Sequence, residues 1–275
     1  MYEATPIVNG FPGKTETHGS FGWSSVWLLR GFDRVIIVET GPPSYLPLIT
    51  TALSELGLGT NEVTDVLITH AHWDHLGNIS LFPQARRWIG RVEYEWALSQ
   101  APDEPFVSQP LLGALSHPQG LLRLIDGESE LVAGVRAHNV PGHTPGHLAF
   151  AVDTTEGPKL FTGDAAKNIH ELESVAVDSA VDRGLGARSV TWIREFARNT
   201  GSSVVPGHDV ECELTGHGWQ RRSEQRAEIQ FFHRRDAPPA RISLSDAELG
   251  PVAVEPFPPE CGMPRPSINE QANAE

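Results

Sequence analysis

Between Val63 and Asn78 the chain reads VTDVLITHAHWDHLGN, and no other stretch constrains it as tightly. The first half is a short apolar run that reads as a buried strand. It ends on four candidate metal ligands in six residues: His70, His72, Asp74 and His75. A tight turn cannot bring all four onto one small ion. Alternation sends His70 and His72 the same way, while Asp74 and His75 are rotated towards a neighbouring point. Two metals side by side fit this better than one. The C-terminal edge of a strand is also where α/β sheets bind ligands. A lone turn histidine is best read as solvated and inert, but four ligands behind a buried strand are not.

Three further pieces follow. Pro141-Gly142-His143-Thr144-Pro145-Gly146-His147 comes after a strand-like run, and its glycines and prolines fix a backbone able to approach a metal closely. One of its two histidines is expected to be a ligand. Phe161-Thr162-Gly163-Asp164 sets a carboxylate at the end of an apolar strand, a costly place unless it meets a cation. Pro206-Gly207-His208-Asp209 follows the strand SSVV.

Around these pieces strands alternate with helices, which makes the class α/β. Val26–Leu29 and Val35–Val38 flank a Gly-Phe-Asp turn as a hairpin. Strands are expected at Val63–Thr69, Ala85–Ile89, Glu130–Val140, Leu148–Val152, Lys159–Thr162 and Ser202–Val205. Helices are expected at Pro47–Leu56, Arg91–Ser99 and Ala187–Asn199, with an amphipathic closing helix at Trp219–Arg235. The Leu-rich, proline-punctuated segment 100–123 is too long for an ordinary turn. It reads either as a lid or binding wall or as a helix with a packing role only. Eight of the 22 prolines fall past Asp236, so 1–235 reads as the folded domain and 236–275 as an extended or disordered tail. Such an arm is a candidate for embracing a second copy in a homodimer.

A formal charge of −14 repels phosphate backbones and argues against nucleic acid. Cys212 and Cys261 lie far apart and outside any ligand spacing, which suits a reducing cytosol. The first residues lack a basic, then apolar, leader pattern, and no run approaches the ~18 apolar residues of a membrane span. The expectation is a cytoplasmic protein without a membrane partner.

Taken in order, HAHWDH, GHTPGH, TGD and PGHD resemble the metallo-β-lactamase superfamily, with the likeness running from residue 20 to residue 235. The resemblance implies a four-layer αββα sandwich. It places His70, His72 and His143 on a first metal, Asp74, His75 and His208 on a second, and Asp164 between them, with His147 not a ligand. Asp164 separates the chain from true β-lactamases with this His-rich motif. It points to the branch of N-acyl-homoserine lactonases, hydroxyacylglutathione hydrolases, persulfide dioxygenases and RNA-processing nucleases. The implied activity is opening of a small-molecule ester, a lactone above all, by hydroxide bridging two divalent ions. Those ions are zinc or, with the same ligands, iron, manganese or cobalt. Asp74 is the implied proton shuttle. The alternatives are a glutathione thioesterase, for which no C-terminal basic cluster is seen, and a mono-iron persulfide dioxygenase.

Two positions depart from the family pattern. The hairpin ends in Glu39-Thr40-Gly41 rather than Asp-Thr-Gly, so a longer carboxylate either reaches a ligand histidine from behind or the role is missing. Lys167 stands where lactonases carry a tyrosine, three residues after the bridging aspartate. It is read either as a catalytic group that steadies an oxyanion or grips a substrate carboxylate, or as a solvated residue at a helix start.

Overall fold

The computed structural model describes residues 1–15, 19–232, 235 and 238–245. Six strands form the first sheet in chain order: β1 (Glu3–Val8), β2 (Val26–Gly31), β3 (Arg34–Val38), β4 (Asp65–Leu67), β5 (Arg86–Gly90) and β6 (Leu122–Ile125). The first three pair antiparallel, and β3 to β6 run parallel. The β2–β3 hairpin turns at Phe32 and Asp33, both at positive φ, the two-residue geometry that matches strand twist.

The second sheet also keeps chain order: β7 (Ser129–Val132), β8 (Val135–Asn139), β9 (Leu148–Thr154), β10 (Gly157–Gly163), β11 (Ser203–Pro206), β12 (Cys212–Thr215) and β13 (Gly218–Arg221). Only β10 and β11 pair in parallel, because a long helix connects them. The run expected as one strand at 130–140 is split by a turn at Gly134.

Period-two alternation sorts the side chains into three apolar layers. Val26 and Leu28 face outward, onto α1 (Leu46–Glu55), the short α2 (Trp73–Leu76), α3 (Arg91–Leu98) and α4 (Gln109–Ser116). Their neighbours Trp27 and Leu29 face inward and meet Phe150, Val152 and Phe161 of the second sheet. On the far side Ala149, Leu160 and Val204 pack under α5 (Ile169–Ser174) and Val190, Ile193 and Ala197 of α6 (Arg183–Thr200). The order is helix, sheet, sheet, helix, the expected αββα sandwich.

Two expectations need correction or division. The closing helix at Trp219–Arg235 does not form: the segment supplies β13 and then β14 (Arg226–Phe231). Strand β15 (Ala240–Ser245) returns to pair antiparallel with β14. A short charged stretch carries both periods, and tertiary partners decide between them. Trp219 is drawn into the apolar layer beneath α5, while Gln225 is buried against Gly10 O and Asp209 Oδ1 at 2.9 and 2.8 Å. A continuous helix could not deliver both. Of the Pro-rich tail, residues 246–275 lie outside the described residues.

Segment 100–123 divides by role. Leu112 and Leu115 of α4 are buried in the first layer, while Phe106 and Val107 lie against the turn at His72. Among the described residues no helix is long and apolar enough to cross a membrane.

Candidate metal centre

The residues singled out in the sequence converge at one edge of the sandwich. Strand β4 leads into His70 and His72, β10 into Asp164, β11 into His208, and the turn after β8 carries His143. Three groups have ligand atoms within 4.8 Å of one another: His70, His72 and His143; His70, His75 and Asp164; Asp74, His75 and His208. Asp164 lies between them. Its Oδ2 is 3.5 Å from His143 Nε2, and its Oδ1 is 3.3 Å from His75 Nε2 and 3.2 Å from His208 Nε2. Asp74 Oδ2 closes the second group at 3.6 Å from His75 and 3.5 Å from His208.

Whether metal ions fit can be judged from polar atoms without partners. His70 Nε2, His75 Nε2 and Asp164 Oδ1 are buried with no hydrogen-bond partner, an arrangement that costs free energy unless a cation meets them. His143 Nδ1 donates to Ser179 O at 2.8 Å, which leaves a lone pair on Nε2. That lone pair faces His72 Nδ1 at 3.0 Å, so the two nitrogens converge on a point that either the His72 N–H proton or a metal ion can occupy. Nitrogen and carboxylate donors of this kind suit divalent transition metals.

The electrostatics split the same way. Burial lowers the pKa of His70 and His143 well below the ordinary histidine value and that of His72 to about 4, although Asp74 and Asp164 pull His72 upward. These imidazoles are held neutral, the form a metal binds. Burial opposes charging His75 too, yet Asp74, Glu39 and Asp164 hold its pKa well above the usual value. Burial also opposes ionisation of Asp164, but His208, His75 and His143 hold its carboxyl far below the carboxylate range.

Behind these side chains stand residues that hold them in place. Glu39, at φ 64, is one answered question: its longer carboxylate does reach a cage histidine. Oε2 lies 3.1 Å from His75 Nδ1 and Oε1 accepts Thr69 N–H at 2.9 Å. Thr40 donates both N–H and Oγ1–H to His75 O, each at 2.9 Å, which fixes α2. His147 Nε2 accepts the Asp164 N–H at 3.1 Å, so this histidine steadies the aspartate from its backbone. Asp209 binds Arg221 through both oxygens at 2.8 and 2.9 Å and anchors the His208 turn. Glu39→Ala is expected to weaken metal binding on the His75 side about 10- to 100-fold, the usual cost of losing an orienting carboxylate. Calorimetric metal titration of the metal-free variant measures this.

Lys167 is not solvated. Its side chain is 13% exposed, and Nζ donates to Asp178 O at 2.6 Å and lies 3.5 Å from Glu171 Oε1. Its charge adds to the lowering of the His72 and His143 pKa values. Its backbone O accepts His208 N–H at 2.8 Å. The buried Glu171 takes N–H bonds from Lys167 at 2.7 Å and Asp178 at 3.0 Å, which holds this loop together.

Fold and site together define an αββα sandwich with a histidine–aspartate cage at one edge, suited to divalent metals. The chain belongs to the metallo-β-lactamase superfamily: the model of that family matches residues 20–208. Members of this family bind divalent metals. An N-acyl homoserine lactonase from Bacillus cereus is 29% identical over 225 residues, covering 72% of this chain and 87% of that protein. Another from a Bacillus species is 29% identical over 166 residues, 60% of this chain and 63% of its own length. The match thus spans less than two thirds of that relative. Among solved structures, a metallo-beta-lactamase-type protein from Thermotoga maritima superposes with a TM-score of 0.64 at 26% identity, over 77% of this chain and 99% of the other. An N-acyl homoserine lactone hydrolase with product N-hexanoyl-L-homoserine at its catalytic metal centre superposes with a TM-score of 0.61 at 22% identity, over 76% of this chain and 93% of the other.

Proposed function

We propose that the protein is a metal-dependent hydrolase that opens a small ester, above all an N-acyl-homoserine-lactone-like lactone. The observation that carries this is the Asp164 carboxylate, whose two oxygens face separate histidine sets. In this reading His70, His72 and His143 hold one divalent ion, Asp74, His75 and His208 hold a second, and Asp164 reaches both. We assign zinc, although the donors also suit iron, manganese and cobalt. Bound there, such ions would supply Lewis acidity and would lower the pKa of a bound water towards ~7.

The chain's own groups divide the remaining work. Asp74 has the most open side chain of the ion-paired cage residues, 21% exposed against 12% or less for His75, His143, Asp164 and His208. It is placed to take a proton from water and pass it to the departing alkoxide. Lys167 has three N–H donors, and its contacts with Asp178 and Glu171 engage two. The third meets the ester oxygen as negative charge builds on it. Phe106 and Trp96 have ring centroids 5.5 and 6.3 Å from that of His72, and form an apolar wall for an acyl chain. The named activity of the curated relatives supports this substrate class.

The test is proton release by metal-replete protein against N-acyl-homoserine lactones, simple γ- and δ-lactones and S-lactoylglutathione. Rapid acid production with lactones is expected, with kcat/KM rising up to ~4-fold per added CH2 that the wall covers. Silence across the lactones and the thioester overturns the ester reading, and oxygen uptake with a persulfide is then the measurement to make.

A further inference from the structure

Glu93, near the start of α3, is completely buried, and its carboxylate bonds backbone N–H groups in the turns beside the cage. Its Oε1 accepts the N–H of Ala71 at 2.9 Å, and its Oε2 accepts the N–H of Gly146 at 3.1 Å. Ala71 sits between His70 and His72 on the turn that leaves the first sheet. Gly146 sits in the turn of His143 and His147, between strands of the second sheet. A single carboxylate therefore spans the two turns that carry His70, His72 and His143. The fit is close: a Cβ on Gly146 would stand 2.1 Å from Glu93 N and 2.6 Å from its Cα. Beside it, the turns share one backbone bond, Leu148 N–H to Thr69 O at 2.9 Å.

The need for such a tie follows from the topology. His70 and His72 come from one sheet and His143 from the other, and the apolar contacts between the sheets tolerate small sliding. Directional hydrogen bonds to a fixed carboxylate do not. A polar group this deep is expensive to bury unless it is hydrogen-bonded, and here each oxygen accepts a backbone N–H.

We propose that Glu93 is a positioning residue that locks the His70–His72 turn to the His143 turn and thereby sets the affinity and geometry of the first metal site. This rests on the reading of those three histidines as ligands of one ion. Glu93→Gln is the informative change. Its carbonyl still accepts one N–H, but its NH2 confronts the other, donor against donor.

The experiment titrates Co2+ into metal-free wild type, Glu93→Gln and a distant core variant, Ile193→Ala, and follows the visible absorption of bound cobalt along with thermal melting. Wild type should take two ions. Glu93→Gln should lose about 10- to 100-fold in affinity at one site, with altered cobalt bands there, and keep the other site. Ile193→Ala should melt earlier with both sites intact. If Glu93→Gln does not fold, Glu93→Asp takes its place, since a shortened carboxylate cannot span both turns. Wild-type cobalt affinity and spectrum in the Glu93 variant overturn the proposal, as does uniform weakening of both sites matched by Ile193→Ala. A wild type that takes no pair of ions overturns the ligand reading instead.

Discussion

Asp164→Ala is expected to abolish turnover, with a loss of at least about 10³-fold, and to leave the protein unable to hold two ions. The magnitude follows from a position that no other residue can fill. Polarisation by bound metal supplies several kcal/mol of charge stabilisation, and each 1.36 kcal/mol is tenfold in rate. Asp164 faces His143 through one oxygen and His75 and His208 through the other, so its two oxygens serve opposite sides of the cage. On the proposed reading its removal takes a ligand from both ions, and it leaves His75, His143 and His208 without the carboxylate they face. Loss of any single histidine should cost less. The hydrogen bond from the Asp164 N–H to His147 survives, because it belongs to the backbone, so the turn itself should persist. Metal content by elemental analysis, measured beside lactone turnover, checks both halves. An active variant carrying two metals would remove the basis for the bridging role.

Much of this centre was legible because its signals are local. His70, His72, Asp74 and His75 share one turn, and the apolar run before them can only be a strand. Asp164 advertised itself as a carboxylate at the end of a buried run. What escaped were the residues whose meaning depends on partners far along the chain. Glu93 reads as one charged residue in VEYEWAL, and nothing nearby says that it will accept amides from residues 71 and 146. Lys167 and Glu171 are an ordinary i,i+4 pair on paper, but in the fold they are closed over by Asp178. The C-terminal error has the same origin. Trp219, Arg221 and Gln225 fall within the run expected as a helix, when each is claimed by a separate long-range partner: the layer beneath α5, Asp209 and Gly10. Glu39 shows the reverse case, in which the altered residue was visible and only the reach of its side chain awaited the fold.

Gly207→Ala should be the next most damaging change after loss of Asp164, although it removes no candidate ligand. Pro206-Gly207-His208 crosses directly under Asp164. A Cβ on residue 207 would stand 2.2 Å from Asp164 Oδ1, 2.7 Å from Gly163 C and 2.8 Å from Gly163 O. Two of those atoms are backbone and cannot step aside. The strands cannot simply spread, because Gly207 N–H bonds Gly163 O at 2.9 Å and Gly207 O receives Ser25 N–H at 2.7 Å. Overpacking of this kind costs about 1–3 kcal/mol in stability. The larger effect is on function, because relief of the clash must move Asp164 Oδ1 off the His75 and His208 side. A displacement near 1 Å at a reacting centre costs on the order of 10²-fold in rate, and two-metal occupancy should fall with it. Gly216→Ala is the matched control: nothing lies within 4 Å of its added methyl, so melting, metal content and turnover should stay as in wild type. If Gly207→Ala instead kept full metal content and turnover, the aspartate would have room to shift without consequence. The tight crossing of β10 and β11 would then be a matter of packing alone.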